Sequence, residues 1–358
     1  MLESWVLPAG VDPVSGGGHV HFVVLRYEPG LITLQSAFVN DTSRMSLEEV
    51  AFWAYQIQAL DEDGAVDALA NSRYDLLVLE PTRSDQSTPD FDTAAMVSTL
   101  HQSSAVVEGR MKLAVAYVDI GEAEDWRWYW EEWWEPPTET EPGTPDFMLA
   151  VDPDGWEGCY PVAFWDTRWK NIMIYNEDSA LDQLLDDGFD GIYMDWVAAF
   201  NDEIVEQAAY DAGLDPQQEM IDFITEIRDY ARARNPEFLI IPQNAPEIDV
   251  GHFEYHGIID GIAMEDIYFY GLADVDWDDP QAGDIAVPET GEDFSRQWFH
   301  DALVWYGRKG LPILTVDYCR QPANVEEVWL EAYGRGFIPY CSLTPLDRLS
   351  ETPPTGLP

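Results

Sequence analysis

Residues 188–195 read GFDGIYMD, and the fold assignment starts from this stretch. Its apolar part, Gly191–Met194, has the length of a short buried strand and ends directly on the acidic residue Asp195. Similar runs recur along the chain, most of them followed by a polar residue. Continuous apolar runs between turn residues favour parallel strands that are covered on both faces. The predicted strands are Phe52–Ile57, Asp75–Leu79, Leu113–Val118, Val162–Trp165, Gly191–Met194, Phe238–Pro242, Gly261–Met264 and Ile313–Val316.

Helical patterns separate most of these strands. The clearest lies at 217–235, where Met220 and Ile224 share one face and Pro236 ends the pattern. Eight strands that alternate with helices predict an α/β protein with a (β/α)₈ TIM barrel. An open doubly wound sheet would need fewer strands and usually a Gly-rich phosphate loop, which the sequence lacks. A ninth apolar run at 336–341 is predicted to cap or extend the sheet.

The first 45 residues have a different character. A lead at 8–18 is rich in Gly and Pro, and two apolar runs at 21–26 and 31–38 flank the turn sequence Tyr27-Glu-Pro-Gly30. This arrangement predicts a β-hairpin, because Pro and Gly stand where a tight turn requires them. We therefore predict an N-terminal hairpin appendage at 1–45 and a barrel domain at 46–350.

The charge of the chain limits its partners. Asp and Glu total 68 residues against 18 Lys and Arg, which gives a formal net charge of −50. Such a polyanion repels nucleic-acid phosphates and anionic membranes, so we expect neither as a partner. Because the acidic residues are spread along the whole chain, the acidity favours a surface adapted to high salt. Attraction of a cationic substrate is a second interpretation, compatible with the first.

Cysteine and histidine give no sign of a metal or a cofactor. Cys159, Cys319 and Cys341 are an odd number without Cys-x-x-Cys spacing, so the sequence indicates neither a zinc site nor a disulfide framework. Pairing of Cys319 with Cys341 stays open. His19-Val-His21 has the spacing of metal ligands, but it lies ahead of the barrel. We predict no metal and no cofactor.

Targeting is ambiguous from the residues alone. No apolar run approaches the roughly 20 residues of a membrane span. The start, at residues 1–5, lacks the basic and apolar regions of a signal peptide. These features leave two possibilities open, a cytoplasmic protein and a chain whose signal segment has been removed.

Polar and aromatic residues collect at the predicted strand ends, which ring one mouth of a (β/α)₈ barrel, where catalytic residues are placed. Each acidic one has an alternative role as the cap of the following helix. Glycoside hydrolysis needs one carboxyl group as an acid and a second as nucleophile or base, and aromatic side chains form platforms for sugar rings. The candidate catalytic pair is Asp195 and Glu265. The candidate substrate-binding residues are Tyr55, Gln56, Tyr117, Asp119, Glu122, Trp165, Asp166, Trp196, Asn244, Tyr268, Asp317 and Tyr318.

Several motifs, taken in order, resemble the endo-α-1,4-polygalactosaminidase family of glycoside hydrolases. They are Tyr117-Val-Asp-Ile-Gly-Glu-Ala-Glu-Asp125, Phe164-Trp-Asp166, Gly188-Phe-Asp-Gly-Ile-Tyr-Met-Asp195, Gln243-Asn244, Ile262-Ala-Met-Glu265 and Leu314-Thr-Val-Asp-Tyr318. The resemblance spans residues 50–345. It implies a (β/α)₈ barrel, a polysaccharide of galactosamine as substrate, secretion to the outside of the cell, and a catalytic pair at Asp195 and Glu265. Asp119 departs from the family pattern, which has a small Ser-like residue at that position.

Two other functions stay open at this point. The chain has the features of a non-catalytic carbohydrate-binding barrel of the cell surface or matrix, although the intact carboxylates Asp195 and Glu265 favour an enzyme. An intracellular barrel enzyme that acts on a small sugar is the other alternative. The acidic surface and the long aromatic segment at 126–134 favour a polymer over a small sugar. That segment is either a packed lid or a further set of sugar contacts.

Overall fold

The computed structural model describes residues 44–105, 110–138, 141–153, 155–273, 275–291 and 294–350, together with three N-terminal strands at Trp5–Pro8, His21–Glu28 and Leu31–Phe38. The last two strands pair antiparallel, with Glu28 opposite Leu31, around the predicted turn. Trp5–Pro8 adds antiparallel to His21–Glu28, so this segment is a three-stranded sheet. Most of the Gly/Pro lead at 8–18 lies outside the described residues. A domain boundary at 45 stays a prediction.

Eight parallel strands form the centre of the protein. They are β1 (Trp53–Gln56), β2 (Leu76–Leu79), β3 (Leu113–Asp119), β4 (Gly191–Asp195), β5 (Leu239–Pro242), β6 (Ile262–Glu265), β7 (Ile313–Tyr318) and β8 (Ile338–Ser342). Most of their residues are buried, as expected for strands that helices cover on the outside and side chains fill on the inside. The alternating apolar runs of the sequence thus predicted the fold class correctly.

The strands follow one another around a (β/α)₈ barrel. Strands β1 to β5 form one parallel sheet and β6 to β8 a second. A parallel bridge between Gln243 and Ala263 joins β5 to β6. On the other side β8 lies next to β1, where the Trp53 indole N–H donates to the carbonyl of Ile338 at 2.7 Å.

Helices connect most of the strands on the outside. They are α1 (Ala65–Asn71), α2 (Thr93–His101), α3 (Thr167–Lys170, continued by a π-helix at Asn171–Tyr175), α4 (Ala180–Asp187), α5 (Glu203–Asp211), α6 (Pro216–Arg234), α7 (Arg296–Arg308) and α8 (Pro322–Arg335). Short 3₁₀ helices lie at Leu47–Glu49, Thr82–Ser84, Val197–Asn201, Pro246–Asp249 and Phe253–Gly257.

Helix α6 shows how local sequence sets these bounds. The Asp215 carboxylate accepts from the N–H groups of Gln217 and Gln218 and so caps the first turn, and Pro216 occupies the first helical position. The helix ends before Pro236, as the sequence pattern predicts. In the described part of the chain, no helix is both long and apolar enough to span a bilayer.

One predicted strand was wrong. Val162–Trp165 is not part of the barrel: Val162 makes an antiparallel bridge to Met148 and the following residues turn. The run continues from a two-stranded ribbon, in which Glu122–Glu124 pairs with Cys159–Pro161. Val162 and Phe164 are fully buried, so this apolar run fills the core as a loop. The eighth place in the barrel belongs to β8, which the sequence suggested only as a cap or extension.

Aromatic side chains fill the interior of the barrel. Trp53 packs against Tyr193 at 6.1 Å and against Tyr340 at 5.9 Å between ring centroids, and Tyr55 lies 5.3 Å from Tyr193. All four rings are buried. A large aromatic core of this kind leaves polar hydroxyl groups within reach of the strand ends, where the candidate site lies.

Candidate active site

Asp195 and Glu265 are the last residues of β4 and β6, with β5 between them. Both carboxylates are half-buried, although the strands that carry them are otherwise buried. A carboxylate at the carboxyl end of a barrel strand occupies the position in which such enzymes place catalytic groups. The structure therefore brings the predicted catalytic pair to the same mouth.

A tyrosine holds each of these carboxylates. The Tyr117 hydroxyl donates to Oδ2 of Asp195 at 2.6 Å, and the Tyr318 hydroxyl donates to Oε1 of Glu265 at 2.7 Å. The backbone N–H of Trp196 also donates to Oδ1 of Asp195 at 2.7 Å. These bonds fix the orientation of both acids, since short hydrogen bonds to a carboxylate are strong and directional.

The end of β5 supports Glu265 from the side. The backbone N–H of Glu265 donates to Oδ1 of Asn244 at 3.1 Å. The side chains of Asn244 and Gln243 also hydrogen-bond the Glu265 carboxyl group. Gln243 in turn accepts from the Tyr55 hydroxyl at 3.4 Å. A chain of polar contacts thus leads from β1 through β5 to β6.

The two carboxyl groups lie in different electrostatic surroundings. Burial and the negative charge of Asp195 raise the pKa of Glu265 to about 7. Hydrogen bonds from its neighbours lower this pKa, but their effect is smaller. Burial also raises the pKa of Asp195, while the Tyr117 hydroxyl and the Trp196 N–H oppose the rise. Glu265 can therefore hold a proton near neutrality while it lies beside a second, strongly hydrogen-bonded carboxylate.

The backbone turns sharply where the site residues leave their strands. Four residues other than glycine have left-handed conformations there: Trp196 after β4, Asn244 and Ala245 after β5, and Asp266 after β6, with φ of 49°, 58°, 49° and 57°. This region is sparsely populated for such residues, and concentrations of it mark functional sites. The strained exits set the directions of the side chains at the mouth.

Gly121 brings the loop after β3 against the exit of β4. A Cβ atom at this position would lie 2.4 Å from the carbonyl oxygen of Trp196, so only glycine fits without a shift of the backbone. Asp119 closes the same turn, because its Oδ1 accepts from the N–H groups of Gly121 at 2.9 Å and Glu122 at 2.8 Å. The Asp119 carboxylate thus stabilises the turn after β3. This turn lies beside Asp195, because Asp119 is paired with Asp195 in the register of β3 and β4.

Glu122 forms a buried carboxyl pair that the sequence did not indicate. Its side chain hydrogen-bonds that of Asp152, and both residues are buried. Burial, Asp119 and Asp152 together raise the pKa of Glu122 to about 12, so this pair holds a proton at neutral pH. Asp152 lies in the long segment before β4 and carries no sequence signal that connects it with the strand ends.

Several predicted residues gather around the catalytic pair, and others have partners elsewhere. Tyr55, Tyr117, Trp196, Asn244 and Tyr318 contact the pair or its immediate neighbours. Trp165 is half-buried and packs edge-on against Phe164 at 4.9 Å.

Two predicted binding residues, Gln56 and Asp166, use their polar atoms in the scaffold. Gln56 donates to the carbonyl of Asp347 at 3.1 Å. Asp166 caps α3 and forms an ion pair with Arg168 at 2.7 Å, and since 162–165 is not a barrel strand, it does not occupy a strand end.

Tyr268 and Asp317 organise the loop after β6. The Tyr268 hydroxyl lies 3.1 Å from Nε2 of His300. Asp317 Oδ1 accepts from the N–H groups of Tyr268 at 2.5 Å and Phe269 at 3.0 Å. These contacts position the chain that follows Glu265.

Sequence reasoning missed Tyr193 as a site residue. Its side chain is fully buried, and this burial is the main cause that raises the pKa of its hydroxyl. The negative charges of Glu265 and Asp195 raise the same pKa further. Among the described residues this hydroxyl has no hydrogen-bond partner. The signal was available, because residues two apart on a strand share a face and Tyr193 precedes Asp195 by two.

The aromatic segment at 126–134 is largely packed. Tyr129 meets Trp169 edge-on at 5.6 Å, and Trp134 meets Phe147 at 5.5 Å. Trp133, at 60% exposure, is open to solvent. The segment is therefore a packed cover with an exposed ring at its surface.

A (β/α)₈ barrel with two tyrosine-bound carboxylates at the ends of β4 and β6, on one mouth, has the architecture of a glycoside hydrolase. Residues 35–356 match the family model described as glycoside-hydrolase family GH114. The chain belongs to this family and is a glycoside hydrolase, which confirms the resemblance seen in its motifs.

Relatives of similar length occur in distant organisms. The chain is 30% identical to an uncharacterized protein of Deinococcus radiodurans over 310 residues, which cover 86% of this chain and 85% of the relative. It is 28% identical to an uncharacterized protein of Thermotoga maritima, covering 88% of this chain and 90% of that one. An uncharacterized protein of Methanocaldococcus jannaschii is 34% identical over 226 residues, 62% of this chain and 57% of its own length.

Solved structures share the fold. The glycoside hydrolase domain of PelA from Pseudomonas aeruginosa superimposes with a TM-score of 0.55 at 16% identity, covering 84% of this chain and 97% of that one. The Aspergillus fumigatus protein Ega3, solved in complex with galactosamine, gives a TM-score of 0.54 at 16% identity and covers 87% of this chain and 99% of that one.

Proposed function

We propose that this protein cleaves an amino-sugar exopolysaccharide outside the cell, at internal α-1,4 linkages between galactosamine or N-acetylgalactosamine units. The observation that carries the proposal is the pair Asp195 and Glu265, each held by a tyrosine hydroxyl at the carboxyl end of its strand. Membership of the family and the fold shared with Ega3, whose crystals contain galactosamine, support the choice of sugar.

In the proposed reaction Glu265 is the general acid. Its pKa of about 7 leaves a proton available near neutrality for the oxygen of the leaving sugar. Asp195 is the nucleophile that attacks the anomeric carbon, or the base that activates water to do so. The Tyr117 hydroxyl and the Trp196 N–H favour the ionised form of Asp195 that either role requires.

The residues around the pair supply substrate contacts in this proposal. Asn244 holds sugar hydroxyls or an amino group, and Trp196 and Trp165, both half-buried, offer faces for sugar rings. The net charge of −50 attracts a polymer that carries free amino groups, since such a polymer is a polycation at neutral pH.

Release of reducing ends from a panel of exopolysaccharides tests this function. The panel contains galactosamine polymers with and without N-acetyl groups, and each is measured with the parent protein, Asp195→Asn and Glu265→Gln. Asp211→Asn and Glu237→Gln are matched controls, because they make the same chemical changes at exposed positions on α5 and before β5. We expect release by the parent and both controls, and loss of at least roughly a thousandfold in the two site variants.

Two results would contradict the proposal in different ways. Unchanged release by Asp195→Asn and Glu265→Gln would place the chemistry elsewhere in the barrel. Binding without release on every polymer, with binding lost in the double variant, would show a non-catalytic carbohydrate-binding barrel.

A further inference from the structure

We propose that Trp133 and three glutamates beside it form a second sugar-binding site, which holds an amino-sugar unit of the polymer at a distance from the catalytic pair. This inference rests on the proposed function, because both sites bind the same substrate. The indole of Trp133 is 60% exposed, although the next residue, Trp134, is buried. A tryptophan face attracts the apolar side of a ring and also a cation, and a protonated amino sugar offers both.

The backbone around Trp133 holds the ring in place. The N–H of Trp134 donates to the carbonyl of Glu131 at 2.9 Å, so Trp133 lies within a tight turn. Directly after this turn, Glu135 and Thr144 exchange two backbone hydrogen bonds, at 2.9 and 2.8 Å. An aromatic side chain on a fixed backbone loses little conformational entropy when it binds a ligand. The exposed ring is therefore a preorganised binding surface.

A ladder of aromatic rings connects Trp133 with the mouth of the barrel. The centroid of the Trp133 ring lies 6.3 Å from that of Trp134, which in turn lies 6.2 Å from that of Tyr129. Tyr129 lies 5.6 Å from Trp169, whose indole N–H donates to the carbonyl of Ile120 at 3.0 Å. Ile120 directly follows β3, so the buried end of the ladder lies at a strand exit.

The same path reaches the catalytic strand β4. The N–H of Ile120 donates to the carbonyl of Asp195 at 3.2 Å. Three ring contacts separate Trp133 from this end of the ladder. A long chain can therefore occupy Trp133 with one unit and the catalytic carboxylates with another. We expect a disaccharide to be too short to do both.

The charges around Trp133 select a cationic occupant. Glu131, Glu132 and Glu135 are all exposed. No Lys or Arg occurs at 128–167, so the sequence around this segment supplies no basic partner for them. Such a surface attracts a polymer with free amino groups and repels an anionic one. N-acetylation removes the positive charge of the sugar and with it both the attraction to the carboxylates and the cation–π contact.

The second site acts on binding and not on the chemical step. Once one unit of a chain is held at Trp133, another unit of the same chain meets the carboxylates at a high effective concentration. The gain in affinity is restricted to chains long enough to reach both places. Long polymers with free amino groups are thereby favoured over short fragments of the same sugar.

Equilibrium binding tests the second site without turnover. Trp133→Ala is made in the Glu265→Gln background, which we expect to be inactive. The Kd is then measured for a galactosamine polymer with free amino groups, for its N-acetylated form and for a galactosamine disaccharide. We expect the Kd for the free-amino polymer to rise roughly three- to thirtyfold, the range of a cation–π contact. The Kd for the disaccharide should stay the same, and the N-acetylated polymer should respond less.

Two further variants separate the ring from its position. Trp305→Ala is the matched control, because it removes another indole, 48% exposed, from the outer helix α7 beside Arg308. It should leave every Kd unchanged. Trp133→Phe keeps an aromatic face and should retain part of the affinity. With Glu265 intact, Trp133→Ala should raise KM for the polymer by about the same factor as Kd and leave kcat unchanged.

The outcomes distinguish this inference from the proposed function. An unchanged Kd for the polymer in Trp133→Ala, or an equal rise for the disaccharide, would overturn the second site even if the parent hydrolyses the polymer. A raised Kd in a protein whose parent hydrolyses no polymer would support the second site and contradict the hydrolysis. Failure of Glu265→Gln to bind any of the three sugars would overturn both.

Discussion

The Tyr318 hydroxyl, at the end of β7, donates a 2.7 Å hydrogen bond to Oε1 of Glu265 at the end of β6. Tyr117 and Asp195 repeat the arrangement on β3 and β4 with a bond of 2.6 Å. In both cases a tyrosine on one strand holds the carboxylate of its neighbour. Burial raises the pKa of each acid, and the hydrogen bond from its tyrosine lowers it. Each tyrosine therefore helps to set one limit of the pH range in which Glu265 is protonated and Asp195 is ionised.

Replacing Tyr318 with phenylalanine should shift the alkaline limb of the pH profile of kcat/KM. The Tyr318 hydrogen bond lowers the pKa of Glu265, so its loss should raise that pKa further above about 7. An acid that acts while protonated then stays active to higher pH. We expect the alkaline limb to move upward and kcat to fall by roughly tenfold, because the carboxyl group loses its orientation. Tyr210→Phe, an exposed change on α5, should leave the profile unchanged.

Replacing Tyr117 with phenylalanine should move the opposite limb. The Tyr117 hydroxyl lowers the pKa of Asp195, which must be ionised to act as nucleophile or base. Loss of this bond raises that pKa, so the acidic limb of kcat/KM should move to higher pH. Both variants are measured over the same pH series. An equal shift of the same limb in both would contradict the separate roles of the two carboxyl groups.

Alanine at Gly121 should damage both stability and activity. Its Cβ atom would overlap the Trp196 carbonyl oxygen at 2.4 Å and push the loop after β3 away from Asp195. We expect a loss of about 1–3 kcal/mol in the free energy of unfolding, measured by urea denaturation. Gly334→Ala is the control, because this position lies inside α8 with no atom near the added methyl group. It should stabilise the fold by roughly 0.5–1 kcal/mol.

The sequence predicted the strand ends well and the loops poorly. Asp195 and Glu265 end β4 and β6 as predicted, because each follows a continuous apolar run of strand length. Val162–Trp165 was wrong, because a run of four apolar residues looks the same in a strand and in a core loop. Asp166 was counted as a strand-end residue on the same error.

Other features of the site depend on contacts between distant segments. Asp152 reaches Glu122 from a loop whose path no local pattern describes. The left-handed residues at the exits include Trp196 and Ala245, whose residue types have no preference for this conformation comparable to that of glycine. Such conformations are imposed by the surrounding fold, so propensity alone does not predict them.

Asp317 should make the stability of the fold depend on pH. Burial raises its pKa from an ordinary 3.8 to about 7, although the hydrogen bonds from the N–H groups of Phe269 and Tyr268 lower this pKa in part. The folded chain therefore binds this proton more tightly than the unfolded chain. The stabilisation is complete below about pH 4 and is lost as the pH rises through about 7. Asp317→Asn stays neutral, so its Tm should fall less than that of the parent between about pH 5 and 8. Asp211→Asn should keep the slope of the parent, and an equal slope in Asp317→Asn would contradict the assignment.

High salt should stabilise this protein. With 68 acidic and 18 basic side chains, most carboxylates have no basic partner, and their mutual repulsion favours the expanded, unfolded chain. Salt shortens the Debye length from about 10 Å at 0.1 M to about 3 Å at 1 M, which screens this repulsion. We expect the Tm to rise between these concentrations of NaCl at neutral pH. The rise should shrink near pH 4, where many carboxylates are protonated and the repulsion is already reduced.

Sucrose at matched osmotic pressure separates screening from water activity, because it leaves the charges unscreened. A Tm that stays constant or falls with NaCl at neutral pH would show that repulsion within the acidic surface does not limit the stability of the fold. Attraction of a cationic polymer would then be the remaining explanation for the net charge.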